Sequence, residues 1–415
     1  MKTKHAAQRI QDEWVFGEYG GVNPSICDSA TFTFMHPETM SELFTHEIEG
    51  CFLYSRHWNP SNKALGDALA QLEGSEAALV TASGMAAISS VLLQLCRSGD
   101  EIVSSRTVYG GTYALMKYFL PRFGIKTRFV NIVDLAAVEE AITGRTRLIY
   151  TETLSNPLLE LADIPGLSEL AHDYELPLVV DNTFTPLIFT PLEMGADIVV
   201  HSLTKYINGS SDCVAGAVCA TPQFVRSLID VSTGAAMLLG PVLDSFRANS
   251  ILKNLHTLHV RMRQHSANAH FLAQKLQDAG VRIHYPGLTT HPQHHRVREL
   301  MHPRYGFGGM MTLDAGDWDT ASALMAGMQD AQIGYIAVSL GFHKTLFSAP
   351  GSSTSSEIPE AEQAVMGLGP GLIRFSIGLD QHIDITLARI MDCLDEVGLL
   401  GQTVPSRPVP EPAIA

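Results

Sequence analysis

The sequence lacks the cysteine spacings and the long apolar runs that mark several classes of protein. No two of its six cysteines form a Cys-x-x-Cys pair, which argues against a structural zinc site. Its apolar runs fall short of the roughly 18 residues that a membrane span requires. The N-terminal stretch MKTKHAAQRIQDEW has no apolar segment of the signal-peptide type. We therefore expect reduced thiols, a cytoplasmic location, no membrane association and no metal.

Positive charge is also scarce. The 415 residues include 28 Lys plus Arg against 43 Asp plus Glu, a formal net charge of −15, which disfavours nucleic acid and anionic lipid as partners. No Gly-Lys pair exists, which excludes a P-loop, and no G-x-G-x-x-G follows a strand-like run. An anionic ligand would need a local site that opposes the overall negative field.

Apolar periodicity divides the chain into four regions. Residues 1–60 show little periodicity, which indicates an arm that needs an external surface to order it. In residues 61–255 short strand-like runs alternate with helix-like runs, which predicts an α/β domain with a mainly parallel sheet. Residues 256–400 mix strands and helices as a smaller C-terminal α+β domain would, and residues 401–415, which contain four prolines, predict a flexible tail.

A long helical tract is expected to connect the two larger regions. The pattern predicts helix over about 222–280, with Arg261, Arg263 and His265 facing water.

Three features could together form a cofactor site. Ser83 and Gly84 open an amphipathic helix, and a helix N-terminus binds phosphate through its free N–H groups. Asp181 follows the apolar run PLVV and Lys205 follows DIVVHS, and ligands of open α/β sheets bind beyond the carboxyl ends of the strands. Taken singly, each feature is better explained by a helix cap, a capping Asp or a solvated Lys. Together they match pyridoxal phosphate, which needs a phosphate cradle, an acid at its pyridine nitrogen and a lysine for a Schiff base.

The motifs around these residues resemble one family along most of the chain. The matching segments are SGM at 83–85, VYGGT at 108–112, ETLSNP at 152–157, VVDNTF at 179–184, HSLTKY at 201–206 and LIRFSIGL at 372–379. They resemble the fold-type I pyridoxal phosphate enzymes of cysteine and methionine metabolism. The resemblance implies that residues 61–255 form the cofactor-binding domain and that the arm, residues 1–60, contacts a neighbouring subunit.

The resemblance also implies roles for individual residues. Lys205 would bind the cofactor covalently and move protons on the substrate, Asp181 would hold the pyridine nitrogen, and Tyr109 would stack on the ring and protonate the leaving sulfur. The other residues implied at the cofactor are Ser83, Gly84, Met85, Thr183, Ser202 and Thr204, with Tyr54 and Arg56 supplied by a neighbouring subunit. The residues implied at the substrate carboxylate are Asn156, Ser339 and Arg374.

Segments outside the shared motifs, among them FGEYGGVNPSI, YSRHWNP and YPGLTTHPQH, resemble the plant-type methionine γ-lyases of this family. That subgroup implies a homotetramer that converts L-methionine to methanethiol, 2-oxobutanoate and ammonia by α,γ-elimination. Cystathionine γ-lyase and the γ-replacement transferases cystathionine γ-synthase and O-acetylhomoserine sulfhydrylase stay open as alternatives. Gly111 occupies the position at which bacterial methionine γ-lyases have a cysteine, so the choice between methionine and cystathionine also stays open. His291, His294 and His295 are expected at the surface, without a metal.

Overall fold

The fold is built on two β-sheets, one in each half of the chain. A computed structural model describes residues 5–13, 16–44, 48 and 50–400, so the predicted flexible tail, residues 401–415, lies outside the described residues. The strands of the first sheet are β1 (Ala77–Thr81), β2 (Glu101–Ser105), β3 (Lys126–Val130), β4 (Thr146–Glu152), β5 (Leu178–Asp181), β6 (Ile198–Ser202) and β7 (Gly216–Ala220). The strands of the second are β8 (Ile283–His284), β9 (Met310–Asp314), β10 (Gly334–Ile336), β11 (Thr345–Ser348) and β12 (Leu372–Ser376).

The first sheet has the strand order β1-β7-β6-β5-β4-β2-β3. Strands β2 to β6 pair in parallel, and β7 runs antiparallel to both of its neighbours. In the second sheet, of order β10-β11-β12-β9-β8, only the β10–β11 pair is parallel. The predicted α/β class, with a mainly parallel sheet followed by a smaller α+β region, is confirmed.

The helices of the described residues cover both faces of the first sheet and also pack on the second. They are α1 (Ala6–Asp12), α2 (Pro37–Leu43), α3 (Pro60–Glu73), α4 (Gly84–Leu95), α5 (Gly110–Ala114), α6 (Leu135–Ala141), α7 (Ile164–Asp173), α8 (Pro222–Leu228), α9 (Ala235–Leu239), α10 (Ser245–Leu255), α11 (Leu258–Asp278), α12 (His294–Leu300), α13 (Trp318–Asp330), α14 (Glu360–Met366) and α15 (Ile383–Glu396). Because successive strand residues point to opposite faces, Val179 packs in one core with Leu92 of α4, and Val180 packs in the other with Leu167 of α7. Within the described ranges, none of the helices has the length and apolarity needed to cross a bilayer.

The prediction of one helical tract over 222–280 is wrong. Four helices, α8 to α11, occupy this stretch. Gly240 ends α9 in the left-handed conformation (φ +70°), and Pro241 follows it. Arg263 is exposed as expected, but His265 is fully buried and the half-buried Arg261 donates to the carbonyls of the segment that follows Lys205. His265 lies on the buried face of α11, which packs into two hydrophobic cores through residues such as Met262 and Ala269.

Candidate active site

Asp181 and Lys205 lie at neighbouring strand ends. Asp181 is the last residue of β5, and Lys205 follows β6 in the chain. Thr183 joins the two ends, because its N–H donates to Asp181 Oδ1 (2.9 Å) and its hydroxyl accepts the N–H of Ser202 (2.8 Å). Burial raises the pKa of Asp181, and hydrogen bonds from Thr183 together with the nearby His201 oppose that rise.

The half-buried Lys205 has an amine with a lowered proton affinity. Its Nζ donates to Ser339 Oγ at 3.3 Å. Burial and, second, the positive charge of Arg374 lower the pKa of Lys205 from 10.5 to about 8. An appreciable fraction of the amine is therefore unprotonated near neutral pH, which is the form that attacks an aldehyde.

The N-terminus of α4 lies against the end of β6, and its geometry is that of a cradle that could accept an anion. Ser83 caps the helix, since its Oγ accepts the N–H of Ala86 at 3.0 Å. The N–H groups of Gly84 and Met85 have no acceptor in the described part of the chain. A Cβ on Gly84 would lie 2.8 Å from the Cβ of Ser202, so only glycine lets the helix start this close to the strand. Free N–H groups, the helix dipole and a nearby hydroxyl together fit a phosphate group.

Three residues that the sequence assigned to the cofactor have other contacts. The hydroxyl of Thr204 accepts the N–H of Ala215 (3.1 Å) and donates to its carbonyl (3.3 Å). Arg56 donates to the carbonyl of Met237 (2.9 Å), and its guanidinium lies 5.8 Å from the ring centroid of Tyr54. Both arm side chains are exposed. Among the residues described, no hydrogen bond or ion pair joins either of them to the strand ends.

Tyr109 precedes α5 and is fixed through its backbone. Its N–H donates to Glu152 Oε1 at 2.7 Å, and Glu152 is the last residue of β4. The ring lies over Gly111, where a Cβ would be 2.5 Å from Tyr109 Cε1. Burial, with a smaller contribution from the negative charge of Glu357, raises the pKa of the phenol. Tyr109 therefore keeps its proton at neutral pH while remaining 40 % exposed.

Arg374 is a buried cation without a carboxylate partner. This residue of β12 is 2 % exposed, and its Nη1 donates to Asn156 Oδ1 at 3.0 Å. Ser348 Oγ lies 3.5 Å from Nη2. In the portion of the chain that is described, no Asp or Glu oxygen lies within the 4.0 Å of a salt bridge to Arg374. Burial lowers its pKa to about 10, so the guanidinium stays charged and fits an incoming carboxylate.

Sequence reasoning missed two buried groups behind these residues. Glu152 ends β4 as Asp181 ends β5, so the run LIYT before it carried the same signal. Glu73, on α3, accepts hydrogen bonds from His201 Nε2 (2.7 Å) and Asn182 Nδ2 (3.0 Å). Because Glu73 is more than 100 residues from both partners in the chain, no local pattern points to this network.

The expectation that the three histidines face solvent is wrong for two of them. His291 and His294 are buried, whereas His295 is exposed. The ring of His294 stacks on Phe307 at 5.3 Å between centroids, and its Nδ1 pairs with the carbonyl of Pro286 (2.9 Å). This packing explains the burial. Over the described ranges no group of three His, Cys, Asp or Glu side chains is placed to hold a metal ion.

Comparison with known proteins agrees with this arrangement. Residues 3–389 match the family model of Cys/Met metabolism PLP-dependent enzymes. A methionine γ-lyase of Arabidopsis thaliana is 47 % identical over 88 % of this chain and 84 % of its own, and an L-methionine γ-lyase of Pseudomonas putida is 39 % identical over 90 % and 93 %.

A solved structure resembles the whole fold. It is a Campylobacter jejuni protein described as an O-acetylhomoserine (thiol)-lyase, and it carries N′-pyridoxyl-lysine-5′-monophosphate at position 205 of its own chain. It is 27 % identical, with a TM-score of 0.87 over 94 % of this chain and 100 % of that one. The present chain therefore belongs to the pyridoxal phosphate-dependent enzymes of cysteine and methionine metabolism.

Proposed function

We propose that the protein is a methionine γ-lyase, which converts L-methionine to methanethiol, 2-oxobutanoate and ammonia. The observation that carries the proposal is the buried Arg374, which has no carboxylate partner in the described chain, donates to Asn156 and is close enough to Lys205 for its charge to lower the pKa of that amine. Such a guanidinium fits the α-carboxylate of a free amino acid. The relatives named methionine γ-lyase support methionine as that amino acid.

The cradle residues are proposed to hold the phosphate of the cofactor. The groups concerned are the N–H groups of Gly84 and Met85 and the hydroxyls of Ser83, Ser202 and Thr204. The fit rests on the N–H groups of Gly84 and Met85, which have no acceptor within the described residues, and on the close approach of Gly84 to Ser202. The Thr204 hydroxyl would have to exchange its contacts with Ala215 for this role.

Asp181, Thr183 and Tyr109 are proposed to hold the cofactor ring. Asp181 would pair with the protonated pyridine nitrogen, Thr183 would fix the Asp181 carboxylate through the hydrogen bond seen here (2.9 Å), and Tyr109 would stack on the ring. When bound, pyridoxal phosphate supplies an electron sink that stabilises negative charge at the substrate Cα.

Proton movements fall to two side chains of the chain itself. Lys205, with a pKa of about 8, would take the proton from the substrate Cα as a neutral amine, and Ser339 would orient it. Tyr109, whose pKa is raised, would donate its phenolic proton to the departing sulfur. Arg374 and Asn156 would bind the α-carboxylate and so set the position of Cα.

A second copy of the chain is proposed to complete the site with Tyr54 and Arg56. Both side chains are exposed, Arg56 donates to the carbonyl of Met237 and lies over the ring of Tyr54, and among the described residues neither is hydrogen-bonded to the strand ends of its own chain. A phosphate in a protein of net charge −15 requires a cationic partner, and Arg56 is an exposed cation that the arm supplies. We extend this proposal to a homotetramer built as a dimer of dimers.

Three further features remain proposals. The division at residues 60, 255 and 400 is supported by the confinement of β1–β7 to the second region and of β8–β12 to the third. A cytoplasmic location is supported by six free cysteines, as expected in a reducing compartment. An amino acid is proposed as the only partner besides the cofactor and further copies of the chain.

Product analysis tests the activity. The purified enzyme is incubated with methionine, with cystathionine, and with O-acetylhomoserine plus sulfide. We expect methionine to give 2-oxobutanoate and methanethiol at the highest kcat/KM. The proposal would be overturned if methionine is inert while cystathionine is cleaved rapidly, or if homocysteine forms faster from O-acetylhomoserine. The likeness to an O-acetylhomoserine (thiol)-lyase makes γ-replacement the competing activity.

A further inference from the structure

One buried carboxylate, that of Glu152, joins the two segments that carry Tyr109 and Asn156. Glu152 is 6 % exposed. Its Oε1 accepts the N–H of Tyr109 at 2.7 Å, and its Oε2 accepts the N–H of Asn156 at 2.9 Å. Both oxygens are thus used by the backbones of the proposed acid and of a residue that binds Arg374. A single side chain sets where both segments begin.

Glu152 is also tied to Asp181. The two residues are register partners on the neighbouring parallel strands β4 and β5, so their side chains point to the same face of the sheet. Burial and the Asp181 charge raise the pKa of Glu152, while the N–H groups of Tyr109 and Asn156 oppose that rise. Burial and the neighbouring Asp181 both disfavour a carboxylate at this position. The hydrogen bonds that Glu152 accepts from the two N–H groups therefore fix its geometry.

We propose that Glu152 is a positioning residue that sets Tyr109 and Asn156 together relative to Asp181. The inference rests on the proposed function for the roles of Tyr109 and Asn156, and it adds that one residue controls proton donation and carboxylate binding at once. A glutamine in the same place offers one carbonyl oxygen and one NH2 group. Its NH2 group would face an N–H donor, so one of the two segments must move.

The main test compares Glu152→Gln with Glu160→Gln in the holoenzyme. Glu160 is a matched control, because it is half-buried and its Oε2 accepts the hydroxyl of Thr107 (3.1 Å) next to the same segment, a contact that a glutamine oxygen preserves. Two quantities are measured: kcat for methionine, and the Kd of glycine from the change in visible absorption of the bound cofactor. The glycine Kd reports on carboxylate binding and does not depend on which sulfur amino acid the enzyme cleaves.

We expect Glu152→Gln to lower kcat and raise the glycine Kd, each by about tenfold or more, because small displacements of reacting groups have effects of this size. Glu160→Gln should stay within about twofold in both. In a Tyr109→Phe background, Glu152→Gln should no longer lower kcat but should still raise the glycine Kd. A purely structural role would instead lower kcat equally in both backgrounds.

Several results would overturn the inference. One is a kcat and a glycine Kd for Glu152→Gln that both lie within about twofold of wild type. The others are a change in only one of these two quantities, and effects on kcat that are additive with those of Tyr109→Phe. If Glu152→Gln does not fold, the same two quantities are measured on Glu152→Asp, which keeps the charge but is one methylene shorter. If neither variant folds, the positioning role is overturned. A wild-type enzyme inactive on methionine would refute the proposed function alone, since the glycine Kd still reports on Glu152.

Discussion

The lowered pKa of Lys205 predicts an unusually reactive amine in the cofactor-free protein. Burial, followed by the charge of Arg374, lowers that pKa from 10.5 to about 8. At pH 7.5 about a quarter of such an amine is neutral, against about 0.1 % of an ordinary lysine. We expect attachment of pyridoxal, trapped with borohydride, to occur at Lys205 and to be about 200-fold faster than at an exposed lysine at that pH.

The same shift predicts a stability effect. Since the folded state disfavours the charged amine, the folded protein holds fewer protons than the unfolded chain between pH 8 and pH 10.5, and the free energy of unfolding rises with pH across that window. At about 1.4 kcal/mol per pKa unit, the protonated amine costs up to about 3 kcal/mol below pH 8. Lys205→Met should therefore stabilise the cofactor-free protein at pH 7 and lose that advantage above pH 10.5.

Denaturant unfolding at pH 7 and at pH 10.5 measures this difference. The control is Lys63→Met, because Lys63 is exposed to water at 40 % and pairs with the surface Asp67; it should change the unfolding free energy by less than about 0.5 kcal/mol. In the attachment assay the rate should level off near pH 8. A rate that keeps rising to pH 10.5, or a Lys205→Met protein no more stable than wild type at pH 7, refutes the reasoning.

Three further substitutions give separate expectations. Gly111→Ala should lower kcat at least about tenfold with little change in KM, because its Cβ would displace the ring of Tyr109; unchanged kcat would show that the ring has room to move. Glu73→Ala should lower the unfolding free energy by about 3 kcal/mol, since it leaves the buried donor of His201 unpaired, and chemical denaturation measures this; a loss below about 1 kcal/mol would contradict it. Arg374→Leu should raise KM far more than it lowers kcat in steady-state assays, and an unchanged KM would remove this residue from the carboxylate site.

The strand-end reasoning explains why part of the site could be predicted from the sequence. Asp181 directly follows the apolar run LVV, Lys205 lies just beyond the strand that contains the apolar run IVV, and parallel strands bring their carboxyl ends to one edge. The same reasoning applies to Glu152, which ends β4, but the sequence alone did not reveal that its two oxygens serve the backbones of Tyr109 and Asn156. A backbone N–H donor does not depend on the type of residue that supplies it, so a hydrogen bond of this kind has no signature in the sequence.

Features that depend on packing between distant elements were the ones missed. The tract over 222–280 is rich in helix-forming residues, yet Gly240 and Pro241 divide it. Within that tract, His265 is buried on the face of α11 that packs into the hydrophobic cores, where its Nδ1 pairs with the carbonyl of Ile377 (2.6 Å). Its polarity alone predicted a water-facing position. His265 lies three residues after Met262 and four before Ala269, which is the spacing of one buried helix face, so the apolar neighbours at this spacing indicate its position better than the polarity of its own ring.

The charges of the site explain how so acidic a protein can bind an anionic cofactor and a zwitterionic substrate. The long-range field of a net charge of −15 is screened within about 10 Å at moderate ionic strength, whereas buried charges are screened much less. Arg374 lacks a carboxylate partner among the described residues, and the α4 cradle presents N–H groups rather than side-chain charge. The acids of the site, Asp181 and Glu152, are instead occupied by N–H donors. Positive potential is therefore left free where a carboxylate and a phosphate would bind.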